Sequence, residues 1–255
     1  MENFPTVSFT MTVRSSNKIS KLLSPLIFLL FWYILSFLIS APLILPYPHT
    51  VLLRLIQLVQ TKAFWCAFCF TMLRVFAAFT ISFVTGNLLG YFSARSNVFK
   101  NLISFPLSVI RTIPLIAFIL LALFWFSSGK VPVFVAVIMA LPVVITGAEK
   151  GFENNRENSE KLFKASCYCF TGFKAFWYIR LPAALPSVLS AAESSFGLCW
   201  KVVAAGEVIS IPRYAAGTLM QKAQVHLETA DVLAVTVVLV LVSYTCGKII
   251  HNLIK

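Results

Sequence analysis

Three ionisable side chains lie inside one long apolar stretch of the sequence, residues 186–209: Glu193, Lys201 and Glu207. Such a group is costly there unless it faces a polar cavity or a partner of opposite charge. Glu193 and Lys201 are eight residues apart, about 80° around an α-helix, so both can lie on one face. Two interpretations stay open: they line a polar pathway or its gate, or they form an internal ion pair or reach an interface. Glu207, near the end of the stretch, is expected to be structural or gate-forming and not catalytic.

The residue types that bind metals or perform catalysis are few and scattered. Cys66 and Cys69 form a C-x-x-C pair without a second pair, so buried small hydrophobic side chains are favoured over a zinc or redox site. The 3 histidines are far apart and have no acidic neighbours at ligand spacing. The sequence also offers no nucleophile with a base and no paired carboxylates near a membrane surface. It therefore predicts no metal site, no cofactor and no enzyme activity.

The composition indicates the environment in which the chain folds. Of 255 residues, 59% are apolar and 12% charged, and the mean hydropathy is +0.87. A globule of this length cannot bury so much apolar surface, which excludes a soluble enzyme or binding module. Disorder is excluded as well, because unfolded chains have low hydrophobicity. An integral membrane protein remains.

Apolar runs long enough to cross a bilayer predict an all-α, polytopic transmembrane helical bundle with about six spans. The predicted spans are residues 22–45, 64–92, 105–127, 131–148, 186–209 and 231–250, after an N-terminal segment of residues 1–21 and with a long polar loop at residues 149–185. In the second span, Gly86 and Gly90 form a G-x-x-x-G motif that permits close helix approach. We expect it to pack within one subunit and not at a dimer seam.

The distribution of basic residues predicts the orientation. If the N-terminus is inside, thirteen of the 21 Lys and Arg residues fall in cytoplasmic segments and five in outer segments. Cytoplasmic loops of membrane proteins carry such an excess. Both termini and the 149–185 loop are therefore predicted to be cytoplasmic, and the net charge of +12 needs no nucleic-acid partner to explain it.

Apolar residues in the second half of the 149–185 loop recur at near-helical spacing. This predicts a short helix, a turn near Gly172, and a second helix that ends before Pro182, because the residue before a proline avoids the helical region. An apolar helix face in such a loop needs a cover. A partner protein and the bilayer surface are equally compatible with the residues alone.

The end of this loop reads Ile179-Arg-Leu-Pro182, with a further proline four residues later. The segment resembles the EAA coupling loop of bacterial ABC-transporter permeases, whose pattern is Glu-Ala-Ala, three residues, Gly, and later Ile-x-Leu-Pro. The chain matches the pattern at Ala165, Phe176, Ile179, Leu181, Pro182 and Pro186. It departs from it at Phe163, where the family has Glu, and at Cys169, where the family has Gly.

Other motifs resemble the same permeases, in the same order, from about residue 50 to the end. Arg111-Thr-Ile-Pro114 opens the third span, and the stretch from Ser195 to Glu207 contains the Gly, Trp and Glu of their fifth-span signature. The permeases concerned transport taurine, aliphatic sulfonates, nitrate and thiamine precursors.

The resemblance implies a type I ABC importer permease in a bacterial inner membrane. A permease pair, here expected to be a homodimer, forms the pathway for a small solute. A periplasmic or lipoprotein binding protein delivers the solute, and two ATPase subunits dock on the coupling loops. The chain has no phosphate-binding G-x-x-x-x-G-K-[ST] motif, so ATP is hydrolysed by the partner.

The resemblance assigns the candidate coupling residues, and it combines with the charges inside the fifth predicted span to give the candidate pathway residues. Those expected to couple to the ATPase are Phe163, Ala165, Cys169, Gly172, Phe176, Ile179, Leu181 and Pro182. Those expected to line the translocation pathway are Glu193, Trp200, Lys201 and Glu207. The alternative function is a secondary transporter driven by an ion gradient, although the internal repeats common in that class are not visible here.

Overall fold

The computed structural model describes residues 19–157 and 176–254, and the regular structure in these ranges is helical. The helices are α1 (Ile19–Ile39), α2 (Pro48–Val59), α3 (Lys62–Arg95), α4 (Asn97–Thr112), α5 (Leu115–Trp125), α6 (Val131–Glu157), α7 (Leu181–Ser210), α8 (Ala216–Val225) and α9 (Thr229–Ile254), with a π-helical turn at Phe176–Arg180. The predicted all-α class is confirmed. The short helices α2 and α8 were not predicted.

The described residues include four or five helices that meet the length and hydropathy requirements for a membrane span, against six predicted spans. Among the described residues, four are long and apolar enough: α3, α7, Val131–Glu153 of α6 and Thr229–Ile249 of α9. A fifth is counted if α4 and α5 form one bent span. The apolar part of α1, Pro25–Ile39, is shorter, so a sixth span at α1 stays a prediction.

The third predicted span, residues 105–127, is not one straight helix. It is divided between α4 and α5, whose axes are bent by 105°. Ile113 at the break has extended backbone angles, φ −66° and ψ 127°. Pro114 follows it, and the proline ring disfavours the helical region for the preceding residue. The span predicted at residues 105–127 is therefore broken at this point, and its crossing of the membrane stays a prediction.

The core is built around α3, α6 and α7. Gly86 and Gly90 of α3 lie directly against α6, because a Cβ built on Gly86 would stand 2.7 Å from the Val144 Cβ, and one on Gly90 would stand 2.6 Å from the Ala148 Cβ. The residue numbers of the contacting pairs increase together along the two helices, so α3 and α6 are parallel. The prediction that the G-x-x-x-G motif packs within one subunit is confirmed.

Helices α6 and α7 are antiparallel and approach closely at both ends. Near the start of α6, a Cβ on Gly206 would lie 3.0 Å from the Pro132 Cα. Near its other end, a Cβ on Gly151 would lie 2.9 Å from the Ala184 carbonyl oxygen. Small residues thus fix the pair along most of its length.

The connection into α7 differs from the prediction. A helix was expected to end before Pro182, but the π-helical turn runs into α7, and Arg180 has helical angles, φ −71° and ψ −46°. Pro182 sits in the first turn of α7. A proline is tolerated there because the first backbone N–H groups of a helix have no partner within the helix.

Candidate functional site

The bundle has two ends that carry different groups of polar residues. The loop end contains the last turn of α3, the first turns of α4, the last turns of α6 and the start of α7, and it flanks residues 158–175. The far end contains the start of α3, the end of α7 and helix α8.

At the loop end, a lysine joins α4 to α6. Lys100 Nζ lies 2.7 Å from Glu149 Oε1 and 2.8 Å from Glu153 Oε1. Ser93 Oγ, at the end of α3, donates a hydrogen bond of 3.0 Å to Glu149 Oε2. The carboxylates that begin the 149–185 segment are therefore tied to two other helices.

An aromatic cluster of Tyr91, Phe152 and Phe176 closes the same end. The Tyr91 ring centroid is 5.1 Å from that of Phe152 and 5.5 Å from that of Phe176, both edge to face. Phe152 and Phe176 are stacked at 6.3 Å. The cluster joins the end of α6 and the turn before α7 to α3, so both flanks of residues 158–175 are anchored to the core.

The predicted coupling residues fall into two groups. Phe163, Ala165, Cys169 and Gly172 lie outside the described residues. The others lie at the loop end: Phe176 is half-buried in the aromatic cluster, Ile179 belongs to the π-helical turn, and Leu181 and Pro182 begin α7.

At the far end, Glu207 is fully buried in an ion pair. Its Oε1 accepts a hydrogen bond of 2.8 Å from Arg74 Nη1, and its Oε2 accepts one of 2.8 Å from Thr71 Oγ1. The Arg74 guanidinium also donates to the Tyr214 carbonyl oxygen at 2.8 Å. Glu207 therefore faces α3 and not the exposed side of α7.

Glu207 and Thr71 also bind the first turn of α8. The Gly217 N–H donates to Glu207 Oε2 at 3.2 Å, and the Ala216 N–H donates to Thr71 Oγ1 at 2.9 Å. The first N–H groups of a helix lack partners within it, and a negative charge near them is favourable. Glu207 and Thr71 thus act as the cap of α8 from two other helices.

The other candidate pathway residues are placed differently. Glu193 and Lys201 are exposed on α7. Trp200 is 4% exposed and belongs to the hydrophobic core, although one side of it reaches a groove. The structure thus brings Trp200 and Lys201 to one groove, whereas Glu207 is held elsewhere.

Two grooves open along α7. The loop-end groove, about 430 Å³, lies between α6 and α7, and its polar lining includes Thr146, Lys150, Ser190 and Ser194. The far groove, about 510 Å³, lies between α7, α8 and α9, and Lys201 is the charged residue in its lining.

Residues 86–255 match the family described as binding-protein-dependent transport system inner membrane component. The chain belongs to this family. It is the permease subunit of a binding-protein-dependent ABC transporter, a multi-pass protein of the inner membrane, and not itself an enzyme. Such a permease works with an ATPase and a binding protein. This assignment replaces the ion-gradient alternative.

Distant relatives agree with the assignment. The permease is 23% identical to the taurine transport system permease protein TauC of Escherichia coli (strain K12), over 84% of this chain and 78% of the relative. It is 23% identical to the glycine betaine transport system permease protein OpuAB of Bacillus subtilis (strain 168), over 77% of this chain and 68% of the relative. It is 26% identical to the putative aliphatic sulfonates transport permease protein SsuC of Escherichia coli (strain K12), over 77% and 73%.

Sequence reasoning missed several polar residues of the permease. Thr146 and Lys150 are four residues apart on α6, and Ser190 and Ser194 are four apart on α7. Polar residues at that spacing share one helix face, which is the signal that could have identified the loop-end groove. The hydrogen bond between Thr71 and Glu207 gave no such signal, because the two residues are 136 positions apart in the sequence and lie on different helices.

Proposed function

We propose that this permease imports a small solute along the exposed face of α7, and that ATPase movement enters through the 149–185 loop. The observation that carries the proposal is the anchoring of both loop flanks. Lys100 holds Glu149 and Glu153 before residues 158–175, and the aromatic cluster holds Phe176 after them. A push on the loop therefore acts on the core directly.

The connection between the loop and α7 supports the proposal that movement of the loop is transmitted to α7 as a rigid body. The π-helical turn passes into α7 at Leu181 without an intervening loop, and α6 and α7 are closely packed at Gly151 and Gly206. Switching transitions often move packed helices as rigid bodies, because tightly packed contacts do not deform continuously. Movement at the loop end would then reach the far end of α7.

The charge distribution supports an orientation with the loop end and both termini in the cytoplasm. The far end then faces the binding protein, which we propose is periplasmic or a lipoprotein. The face of α7 that carries both grooves is open on one side in the single chain. A second copy related by two-fold symmetry would supply the missing wall, which supports a homodimer.

The names of the relatives support a class of solute. Taurine and aliphatic sulfonates carry a sulfonate group, and glycine betaine carries a carboxylate. We extend this chemistry to the present chain as a small organic solute with one acidic group.

Binding of the ATPase is tested by co-purification. Cys169→Arg, in the centre of the loop, should reduce recovery of the ATPase with tagged permease, because a bulky cation would stand in the proposed contact. If the variant retains as much ATPase as the wild type, the coupling assignment fails.

Transmission is tested separately with Tyr91→Ala, which removes one ring of the aromatic cluster. It should retain the ATPase in co-purification but change the ATPase activity of the complex, because the loop flanks are no longer anchored. Phe124→Ala is the matched control, since the Phe124 ring is 86% exposed on α5. Equal ATPase activity in the two variants would contradict the proposal.

A further inference from the structure

The two grooves lie on the same face of α7. Ser190, Ser194 and Lys201 fall within about 40° of one another around the helix at 100° per residue. The first two line the loop-end groove and the third lines the far groove. Ser190 and Lys201 are eleven residues apart in sequence, or about 16 Å along the helix. One face of α7 thus connects both ends of the bundle.

Each groove contains one lysine whose ammonium group has no ion-pair partner among the described residues. Lys150 lines the loop-end groove and Lys201 the far groove, and both side chains are exposed. Two cations elsewhere on the bundle do have carboxylate partners: Arg74 pairs with Glu207, and Lys100 with two glutamates. Lys201 lies within a predicted span, where an ionisable side chain requires a partner or a polar cavity, whereas Lys150 lies at the start of the 149–185 loop. Lys201 lies in such a cavity, and neither groove lysine has an anionic partner in the part of the chain that the structure describes.

The wall of the far groove is mainly apolar. The Trp200 side chain forms part of it. Most of the remaining wall is apolar, including Met220 and Leu239. A cation beside an apolar wall suits an acidic group on a short apolar body.

The geometry points to α7 as a track with two binding stations for a small organic anion, Lys201 in the far groove and Lys150 in the loop-end groove. This inference rests on the proposed function and names the sites that the solute occupies. A solute entering at the far end binds Lys201 first, passes Gly197 and Ser194, and reaches Lys150 before release. Two separated stations allow each to bind weakly enough to release, which conduction requires.

The experiment measures protection of the two lysines in the full-length wild-type chain. The permease is placed in phosphatidylcholine nanodiscs and treated with a small amine-acylating reagent, and modification is read at each lysine by mass spectrometry. Sodium ethanesulfonate is the anionic probe, dimethyl sulfone is its uncharged counterpart, and sodium chloride is the reference at equal ionic strength. Lys130, exposed at the far end and outside both grooves, is the control lysine.

At about ten times its dissociation constant, ethanesulfonate should slow modification of Lys201 and Lys150 about tenfold, because about a tenth of the sites stay free. Dimethyl sulfone and chloride should give no protection, and Lys130 should react at an unchanged rate. Equal protection by chloride, protection of Lys130, or protection of only one groove lysine would overturn the two-station track. So would protection by phosphatidylglycerol in the nanodisc without ethanesulfonate, because the grooves would then be lipid sites.

Recovery of the ATPase with the permease is measured separately. If the lysines are not protected but the permease still binds its ATPase through the loop, the two-station track is wrong and the proposed function stands. If Cys169→Arg retains as much ATPase as the wild type, the proposed function is wrong, whatever the protection result.

Discussion

Glu207 on α7 and Arg74 on α3 form an ion pair of 2.8 Å, and the carboxylate is completely buried. The pair is completed by Thr71 and by the N–H of Gly217, so the carboxylate joins α3, α7 and α8 at one point. A buried pair contributes little net stability when intact, but removal of one partner leaves an uncompensated charge. The position of α8 therefore depends on both residues.

We expect Glu207→Gln to destabilise the permease by about 3–5 kcal/mol, because Arg74 would remain as a poorly solvated, unpaired cation. Thermal unfolding in detergent measures the loss. The Arg74→Met and Glu207→Gln double variant should lose less than the sum of the two single variants, since it leaves neither charge alone. Additive losses would mean that the two side chains do not interact.

Gly90→Ala should also destabilise, by about 1–3 kcal/mol, because an added methyl group overpacks a tight contact. The new Cβ would stand 2.6 Å from the Ala148 Cβ and 2.7 Å from the Ile145 carbonyl oxygen, so α3 and α6 would have to separate. Gly247→Ala on α9 is the matched control, because nothing lies within 4 Å of its added Cβ. Equal unfolding temperatures of the two variants would contradict the close approach of α3 and α6.

Pro114→Ala should reduce the bend between α4 and α5, because alanine lets Ile113 adopt helical angles. Spin labels at the exposed positions 98 and 124 measure the change. From the helix rise and the 105° bend, their separation should increase from roughly 24 Å towards roughly 39 Å. Pro106→Ala, within α4 and away from the break, should leave the distance unchanged. An unchanged distance in Pro114→Ala would show that tertiary packing alone sets the bend.

Lys100→Met should change stability by no more than about 1 kcal/mol, because the Lys100 side chain is 41% exposed and such ion pairs are weak. Its effect should appear in coupling: the ATPase activity of the complex should change while the unfolding temperature changes little. Lys130→Met removes the same charge at the far end and serves as control. A large drop in unfolding temperature would instead assign Lys100 to the stability of the bundle.

The long helices could be predicted from the sequence, because the length of an apolar run can be compared directly with the thickness of the bilayer. The predicted second span, residues 64–92, lies within α3, and the predicted fifth, residues 186–209, lies within α7. The size of the bend in the third span could not be predicted, since a hydropathy pattern does not register the backbone restriction that Pro114 places on Ile113. Prolines cannot simply be counted as breaks either, because α4 passes through Pro106 and α6 through Pro142.

The candidate site was predictable in part. Charge inside an apolar span identified Lys201 and Glu207 as unusual, but their different surroundings depend on which face of α7 meets α3. That assignment comes from distant contacts, such as Thr71 with Glu207, which one sequence does not contain. The loop-end anchors were missed for the same reason: Lys100 and Glu149 belong to different helices.

The glycine contacts at both ends of the α6 and α7 pair restrict how a gate could work. Because Gly206 lies against Pro132 and Gly151 against Ala184, these two helices behave as one stiff rod. Alternating access then cannot come from parting this rod lengthwise. It would have to come from tilting the pair as a unit against the helices packed on it, which include the bent α4 and α5 pair.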